Sequence, residues 1–233
     1  MKSEEYLMCE KNWVFYTLIL ISGYYGAFTY VLRGNVFCNA QTGNVVLMGM
    51  ALGSGNIRHG LYYLIPIGAY MLGSLVSELL PNPIKHTLSI RWDTLLLFIE
   101  MLVVLGLGFI PESAPVQISQ VAINCIASMQ YNTFRQAQGT PMATTFATNH
   151  IRQIGIGLAK EIKGKDTSHR EKLFKHIRML VCFLSGATIG TVFCHLYLGK
   201  AIWITLIPLA ILLSQFIKED HNLDSLEQIP HGH

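Results

Sequence analysis

One stretch decides how this chain folds, and it reads Phe37-Cys38-Asn39-Ala40-Gln41-Thr42-Gly43-Asn44. It sets amide and hydroxyl side chains beside a glycine, only a few residues after a long apolar segment. A second stretch of this kind reads Ala143-Thr144-Thr145-Phe146-Ala147-Thr148-Asn149-His150. Polar side chains in apolar surroundings are costly, so we take these stretches, called the first motif and the second motif below, as the candidate functional elements.

The composition predicts a membrane protein. The chain has 233 residues, of which 51% are hydrophobic and 13% charged, whereas soluble domains carry about 25% charged residues. A bilayer requires roughly 20 mostly apolar residues per helical crossing. A soluble all-α protein would instead need helices with polar faces, which are largely absent. The net charge of +3 is modest, and it indicates an excess of basic residues in the loops of a membrane protein and not a nucleic-acid-binding surface.

Apolar blocks divide the chain into two membrane repeats. Six segments are apolar enough to cross a bilayer, about Trp13–Leu32, Leu61–Leu80, Thr94–Ile110, Val116–Phe134, Ile177–Leu198 and Ala201–Ile217. The two motif segments, Asn39–Gly53 and Thr144–Ile162, are only partly apolar. We therefore expect a cytoplasmic N-terminal segment at 1–12, repeats at 13–110 and 115–217, and a loosely ordered polar tail at 218–233.

Basic residues orient the chain. Seven of them lie between Lys160 and Arg178, which predicts a solvated cytoplasmic linker by the positive-inside rule. If both motif segments cross, giving eight crossings, the loop with Lys85 and Arg91 lies outside. If each motif segment enters and leaves on one side, that loop lies inside and the turn Pro111–Pro115, which has no basic residue, lies outside.

The second arrangement agrees better with the rule. We expect an all-α, polytopic membrane helical bundle with six crossings plus two re-entrant or broken motif helices; eight crossings is the alternative. Both arrangements place both termini in the cytoplasm.

An internal repeat supports this plan. A shift of 106 residues superimposes like residues around both motifs: Ser22, Tyr25, Phe28, Thr42, Gly49 and Leu52 fall on Ser128, Tyr131, Phe134, Thr148, Gly155 and Leu158. Three crossings per repeat would make this an inverted internal repeat, a plan common in transporters and channels, with the site where the halves meet. Non-helical backbone at membrane depth is tolerated only when it is buried in protein or lines a wet cavity.

The two motifs, together with Met129-Gln130-Tyr131-Asn132-Thr133-Phe134-Arg135, resemble the paired signatures of the YoaK-like family. The resemblance extends from about Trp13 to Ile217. It implies a polytopic helical protein of the bacterial inner membrane and no established substrate. Many members have Thr-Gly and a polar residue in the second motif, whereas this chain has Thr148-Asn149-His150.

Individual residues allow two interpretations. Thr42 or Asn44 is expected to cap the following helix, whose N terminus would then face a polar or anionic solute. Alternatively, these small residues only let helices pack and hydrogen-bond. Glu100 is a candidate proton carrier or a partner of Arg152. His150 has no second histidine at ligand spacing, so we expect no metal.

The leading hypothesis is a permease or channel for a small polar solute or ion. Its expected substrate-binding residues are Asn39, Gln41, Thr42, Gly43, Asn44, Glu100, Gln130, Asn132, Thr145, Thr148, Asn149, His150 and Arg152. The expected partners are the lipid bilayer and the solute, without cofactor or nucleic acid, and homo-oligomerisation stays open. One alternative is an intramembrane enzyme acting on a lipid or headgroup, with His150, Glu100 and Asn44 as candidates but no apparent nucleophile–base pair. The other is a structural or sensory protein.

Overall fold

The computed structural model describes residues 6–81, 90–164 and 168–227. The described residues are all-α apart from one small hairpin, as the sequence predicts. Their helices are α1 Asn12–Leu32, α2 Gln41–Gly53, α3 Ile57–Tyr62, α4 Leu64–Leu79, α5 Trp92–Leu107, α6 Val116–Thr133, α7 Thr148–Ile162, α8 Ser168–Tyr197 and α9 Leu206–Glu227. The hairpin pairs β1 (Gln136–Ala137) with β2 (Thr140–Pro141), and 3₁₀ turns occupy Met8–Glu10 and Leu198–Thr205.

Contacts at the helix ends define one face of the bundle, which we call the N-terminal face. The Met8 N–H donates to the Glu219 carboxylate at 2.7 Å. The Arg91 guanidinium donates to the same carboxylate at 3.1 Å. The Lys175 ammonium donates to the side chain of Gln138 at 3.2 Å. The start of α1, the start of α5 and the end of α9 therefore share this face with the early turns of α8.

The opposite face, which we call the Arg33 face, is defined in the same way. The Arg33 guanidinium donates to the Glu112 carboxylate at 2.7 Å, and the Gly199 N–H donates to that carboxylate at 2.6 Å. The Gln120 amide bonds to both Tyr62 and the Arg33 carbonyl. Helices α1, α5 and α8 thus run towards the Arg33 face, and α4, α6 and α9 run back.

The motif helices α2 and α7 are shorter and begin inside the bundle. They contain 13 and 15 residues, or about 20 Å at 1.5 Å per residue, less than the roughly 30 Å of a bilayer core. The first motif starts at the Arg33 face and reaches Ser22, the midpoint of α1, before α2 leads back. The second motif starts at the N-terminal face and also reaches Ser22 before α7 leads back.

The two halves of the chain interlock. Helix α1 packs along α8, where the glycines Gly23 and Gly186 each lie against the partner helix's backbone. Helix α6 packs along α4, where Gly73 lies against the Cys125 carbonyl. In each half, the helix that precedes the motif is α1 or α6. It therefore packs against the helix that follows the motif helix of the other half, α8 or α4.

Two predicted loop regions are helical instead. Helix α8 begins at Ser168, inside the predicted linker, because Lys175 is nearly buried and bonds to Glu171 at 3.0 Å as well as to Gln138. Helix α9 continues to Glu227, beyond the start of the predicted loose tail, since Glu219 pairs with Arg91. The remainder of that tail (228–233), Lys85 and residues 1–5 lie outside the described residues.

Three helical stretches of the described chain are long and apolar enough to cross a membrane, namely Asn12–Leu32, Ile57–Leu79 and His169–Asn222. The last contains the 3₁₀ turn, in which Leu198 has a φ of 50°. Such left-handed backbone interrupts a right-handed helix. This stretch therefore comprises two antiparallel helices, α8 and α9.

Replacement of Gly73 by alanine tests the close packing of α4 on α6. The added methyl group would meet the Cys125 backbone, so the helices must separate, at a cost of about 1–3 kcal/mol for overpacking. We expect a lower thermal unfolding temperature for detergent-purified Gly73→Ala. Gly68→Ala on the same helix is the matched control, since nothing lies within 4 Å of its methyl position. Equal effects of the two substitutions would contradict this packing.

Candidate functional site

The two motifs meet at Ser22. The Asn39 amide of the first motif donates to the Ser22 carbonyl at 3.0 Å and to its hydroxyl at 3.2 Å. The Ser22 hydroxyl donates in turn to the Thr145 carbonyl of the second motif at 3.2 Å. All three residues are buried. We call this the motif junction.

Buried polar atoms without a partner surround the motif junction. Among the described residues, the Thr144 hydroxyl and one carboxylate oxygen of Glu100 make no hydrogen bond, and the Thr145 hydroxyl is within hydrogen-bond reach of Tyr70. The other oxygen of Glu100 accepts from the Tyr25 hydroxyl at 2.9 Å. Tyr25 lies one helical turn from Ser22, so both face the same side of α1. Buried polar groups without a partner cost free energy, and Arg33, Gln120 and Asp220 at the two faces of the bundle also have such atoms within the described part of the chain.

A chain of amide side chains holds the first motif in shape. Asn44 accepts from the Phe37 N–H at 3.0 Å and donates to the Phe37 carbonyl at 2.7 Å and to Gln41 at 2.9 Å. Gln41 donates to Asn124 of α6 at 2.8 Å, and Asn124 donates to the Gln120 carbonyl at 2.8 Å. Because their bonding capacity is largely used within the protein, Gln41 and Asn44 hold the backbone in place.

The predicted helix caps are wrong. Helix α2 follows Ala40 and has no side-chain cap, because the Asn44 side chain is used on Phe37 and Thr42 is exposed. Gly43 instead leaves room for the Phe37 ring, 3.0 Å from the position of an added methyl group. Helix α7 likewise lacks a side-chain cap, and Thr148 is exposed.

Other predicted site residues lie elsewhere. Asn132 donates to the Ser77 hydroxyl at 2.9 Å and accepts from Arg135 at 2.8 Å, in the last turn of α6 towards the N-terminal face. Arg152 is exposed and donates to Asn149 at 3.1 Å. Since Glu100 bonds to Tyr25, the predicted Glu100–Arg152 pair does not form. Gln130 is buried and faces α1, where its amide lies 3.5 Å from the Leu18 carbonyl.

His150 has a histidine partner that sequence spacing does not reveal. Its Nε2 lies 2.8 Å from the Ala143 carbonyl, and its Nδ1 lies 2.9 Å from Nδ1 of His176. A carbonyl can only accept, so His150 carries its proton on Nε2 and accepts from His176 through Nδ1. The described residues contain no group of three or more potential metal ligands.

The ion pair between Arg33 and Glu112 on the Arg33 face was not predicted from the sequence. Arg33 is 3% exposed, and its guanidinium lies 5.1 Å from the centre of the Phe28 ring. The hydrogen bond from Arg33 lowers the pKa of the Glu112 carboxyl, and the bond from the Gly199 backbone acts in the same direction. Glu112 thereby joins the end of α1 to the turn between α8 and α9.

The depressed pKa of Glu112 predicts a loss of stability in acid. A carboxyl whose folded pKa lies below its unfolded value of about 4.3 stabilises the fold above that pH, and the stabilisation is lost as the pH falls through the folded pKa. We expect Glu112→Gln to lower the unfolding temperature at pH 7, and this effect should shrink steadily as the pH is lowered below the unfolded pKa. Glu161→Gln, at an exposed site, is the control. A pH-independent effect of Glu112→Gln would contradict the ion pair.

Asn44→Ala tests the role of the amide chain. It would leave the N–H and carbonyl of Phe37 without partners, at a cost of about 1–3 kcal/mol. We expect a clear drop in the unfolding temperature, whereas Thr42→Ala, two residues away and exposed, should change it little. If Asn44→Ala were as stable as Thr42→Ala, Asn44 would not hold the first motif.

Comparison with known proteins identifies a family and no activity. No curated protein and no solved structure matches the chain. A family model described as "Protein of unknown function (DUF1275)" matches residues 14–214, which covers both motifs and almost all the helices. The chain therefore belongs to the DUF1275 family of proteins of unknown function.

Proposed function

We propose that this protein is a membrane permease or channel for a small polar solute or ion, with its central site at the motif junction. One observation carries the proposal: both motifs end their non-helical stretches at Ser22, halfway along α1. Where backbone leaves the helix inside an apolar bundle, a wet cavity or a bound solute is the usual reason.

The topology proposed with it has six crossings, two re-entrant motif helices and an inverted repeat. The return of α2 and α7 from Ser22 to opposite faces supports this. Arg91 and Lys175 share the N-terminal face, to which the basic run from Lys160 to Arg178 also belongs. The Arg33 face has fewer basic residues, among them Lys200 and Arg33, which pairs with Glu112. By the positive-inside rule the N-terminal face, with both termini, is cytoplasmic. A YoaK-like protein would place this face inside a bacterial cell.

The chemistry of the motif junction suits a neutral polar solute or a partly dehydrated ion. The hydroxyls of Thr144 and Thr145 can donate or accept, and the Asn39 amide can do both. Glu100 is the one carboxyl at the junction's edge, and its second oxygen has no partner among the described residues. An ionisable group held in this way can bind and release a proton during transport.

The intramembrane enzyme gains no support from the arrangement. His150 bonds to His176 and Ala143, Glu100 to Tyr25, and Asn44 to Phe37. The three enzyme candidates therefore share no partner, whereas nucleophilic catalysis requires a nucleophile and a base within hydrogen-bond reach.

Flux measurements in proteoliposomes test the proposal. We expect the purified protein to pass at least one member of a broad panel of polar solutes and ions, with or without a proton gradient. Asn39→Ala, Thr145→Val and Glu100→Gln should each reduce that flux by about tenfold, the effect of losing roughly one hydrogen bond.

The controls are Asn132→Ala and Arg152→Gln, since both side chains bond outside the motif junction. They should change the flux by less than about twofold. A protein that passes no member of the panel would contradict the proposal. Equal losses in the junction and control variants would contradict the assignment of the site.

A further inference from the structure

A cavity separate from the motif junction opens between α7, α8 and the β-hairpin. Its volume is about 220 Å³. Its walls are contributed by Thr140 and Pro141 of the hairpin, by α7 and by the first turns of α8. Lys175 of α8, which bonds to Gln138 in the hairpin turn, places this cavity on the N-terminal face.

The polar part of the cavity lining is basic or neutral, and Pro141, Ile156 and Leu173 contribute apolar surface beside it. Lys160 and Lys172 approach from α7 and α8, and His169 and Gln153 contribute further nitrogen atoms. No acidic side chain is among its described lining residues. Neither lysine belongs to an ion pair among the described residues, and Glu171, next to Lys172 in the chain, pairs with Lys175 instead. Two cationic groups thus converge on a recess without a counter-ion from the described protein.

His176 gives the cavity a fixed inner wall. It lines the cavity yet is only 4% exposed. Its Nδ1 donates to His150, whose own proton is directed at the Ala143 carbonyl. The imidazole is therefore held in one orientation, and no described residue bonds to its Nε2. With its proton on Nδ1, the neutral ring has an Nε2 that can only accept a hydrogen bond, which suits a hydroxyl of a bound anion and not a bare phosphate oxygen.

We propose that this cavity binds a phosphate-bearing anion. Lysines act as strong point charges towards phosphate oxygens, and the Thr140 hydroxyl and the Gln153 amide can add directed hydrogen bonds. The same chemistry fits a soluble phosphoanion and the headgroup of an anionic phospholipid. This binding does not depend on the transport proposal.

The cavity is connected to the motif junction through the second motif. From its inner wall, hydrogen bonds run from His176 to His150 and from His150 to the Ala143 carbonyl. Two residues further along, the Thr145 carbonyl accepts from Ser22. An anion bound between α7 and α8 would thus lie two hydrogen bonds away from the backbone of the second motif.

Binding to the full-length protein tests the proposal with two probes. In detergent, pyrophosphate is titrated calorimetrically against sodium chloride of equal ionic strength. In nanodiscs, retention of phosphatidylglycerol is followed by native mass spectrometry. We expect saturable binding of at least one probe, and Lys160→Gln/Lys172→Gln should weaken it by about tenfold or more.

The matched control, Lys163→Gln/Lys218→Gln, removes two charges at exposed positions outside the cavity and should change binding by less than about twofold. Binding of pyrophosphate alone identifies a soluble phosphoanion, and retention of the lipid alone identifies a headgroup. Absence of saturable binding for both probes would overturn the proposal, as would equal weakening by both double variants.

A steric variant keeps the test decisive should the lysine variant fold poorly. Gln153→Trp fills the cavity without removing a charge, and we expect it to weaken binding as well. Unchanged binding in folded Gln153→Trp would show that the anion binds elsewhere and would overturn the proposal.

Discussion

The structure depends on one constraint: backbone that leaves the helix inside an apolar bundle must still find hydrogen-bond partners. The first motif meets it through Asn44, whose amide pairs with both the N–H and the carbonyl of Phe37. The second motif meets it through Ser22 and His150, which bond to the carbonyls of Thr145 and Ala143. Without these side chains, two non-helical stretches could not reach the middle of the molecule.

The hydrogen-bond partners distinguish two roles among polar residues that form a single group in the sequence. Asn44 and Gln41 are saturated by protein groups and fix the shape of the first motif. Thr144 and Glu100 retain unpartnered atoms among the described residues, and these are the groups that the transport proposal assigns to a solute or a proton. A polar residue inside an apolar helix bundle is thus informative about function only once its bonding partners are known.

Much of this arrangement could be read from the sequence, because it depends on local periodicity. The apolar segments predict α1 and α6 to within a residue or two, and the partial polarity of the motif segments predicts the short helices α2 and α7. The run of basic residues wrongly predicted a loop at Lys175. Such a run is typical of a loop, but Lys175 donates to Gln138, which lies far away along the chain.

The contacts that sequence could not provide are all long-range. His176 is 26 residues from His150, and Glu112 is 79 residues from Arg33. No spacing rule links such residues, since the interlocking of the two halves brings them together. The expected helix caps failed for a related reason, because Asn44 found a better partner in Phe37 than in its own helix.

The packing of α1 on α8 also bears on how the protein is made. Synthesis must continue from residue 32 to beyond residue 168 before α1 can meet its partner, which takes about 7–27 s at 5–20 residues per second. During that interval the glycine-bearing side of α1 can contact only lipid, the insertion machinery or other nascent segments. Assembly of the α1–α8 interface is therefore a late event, completed only when the second half of the chain has been synthesised.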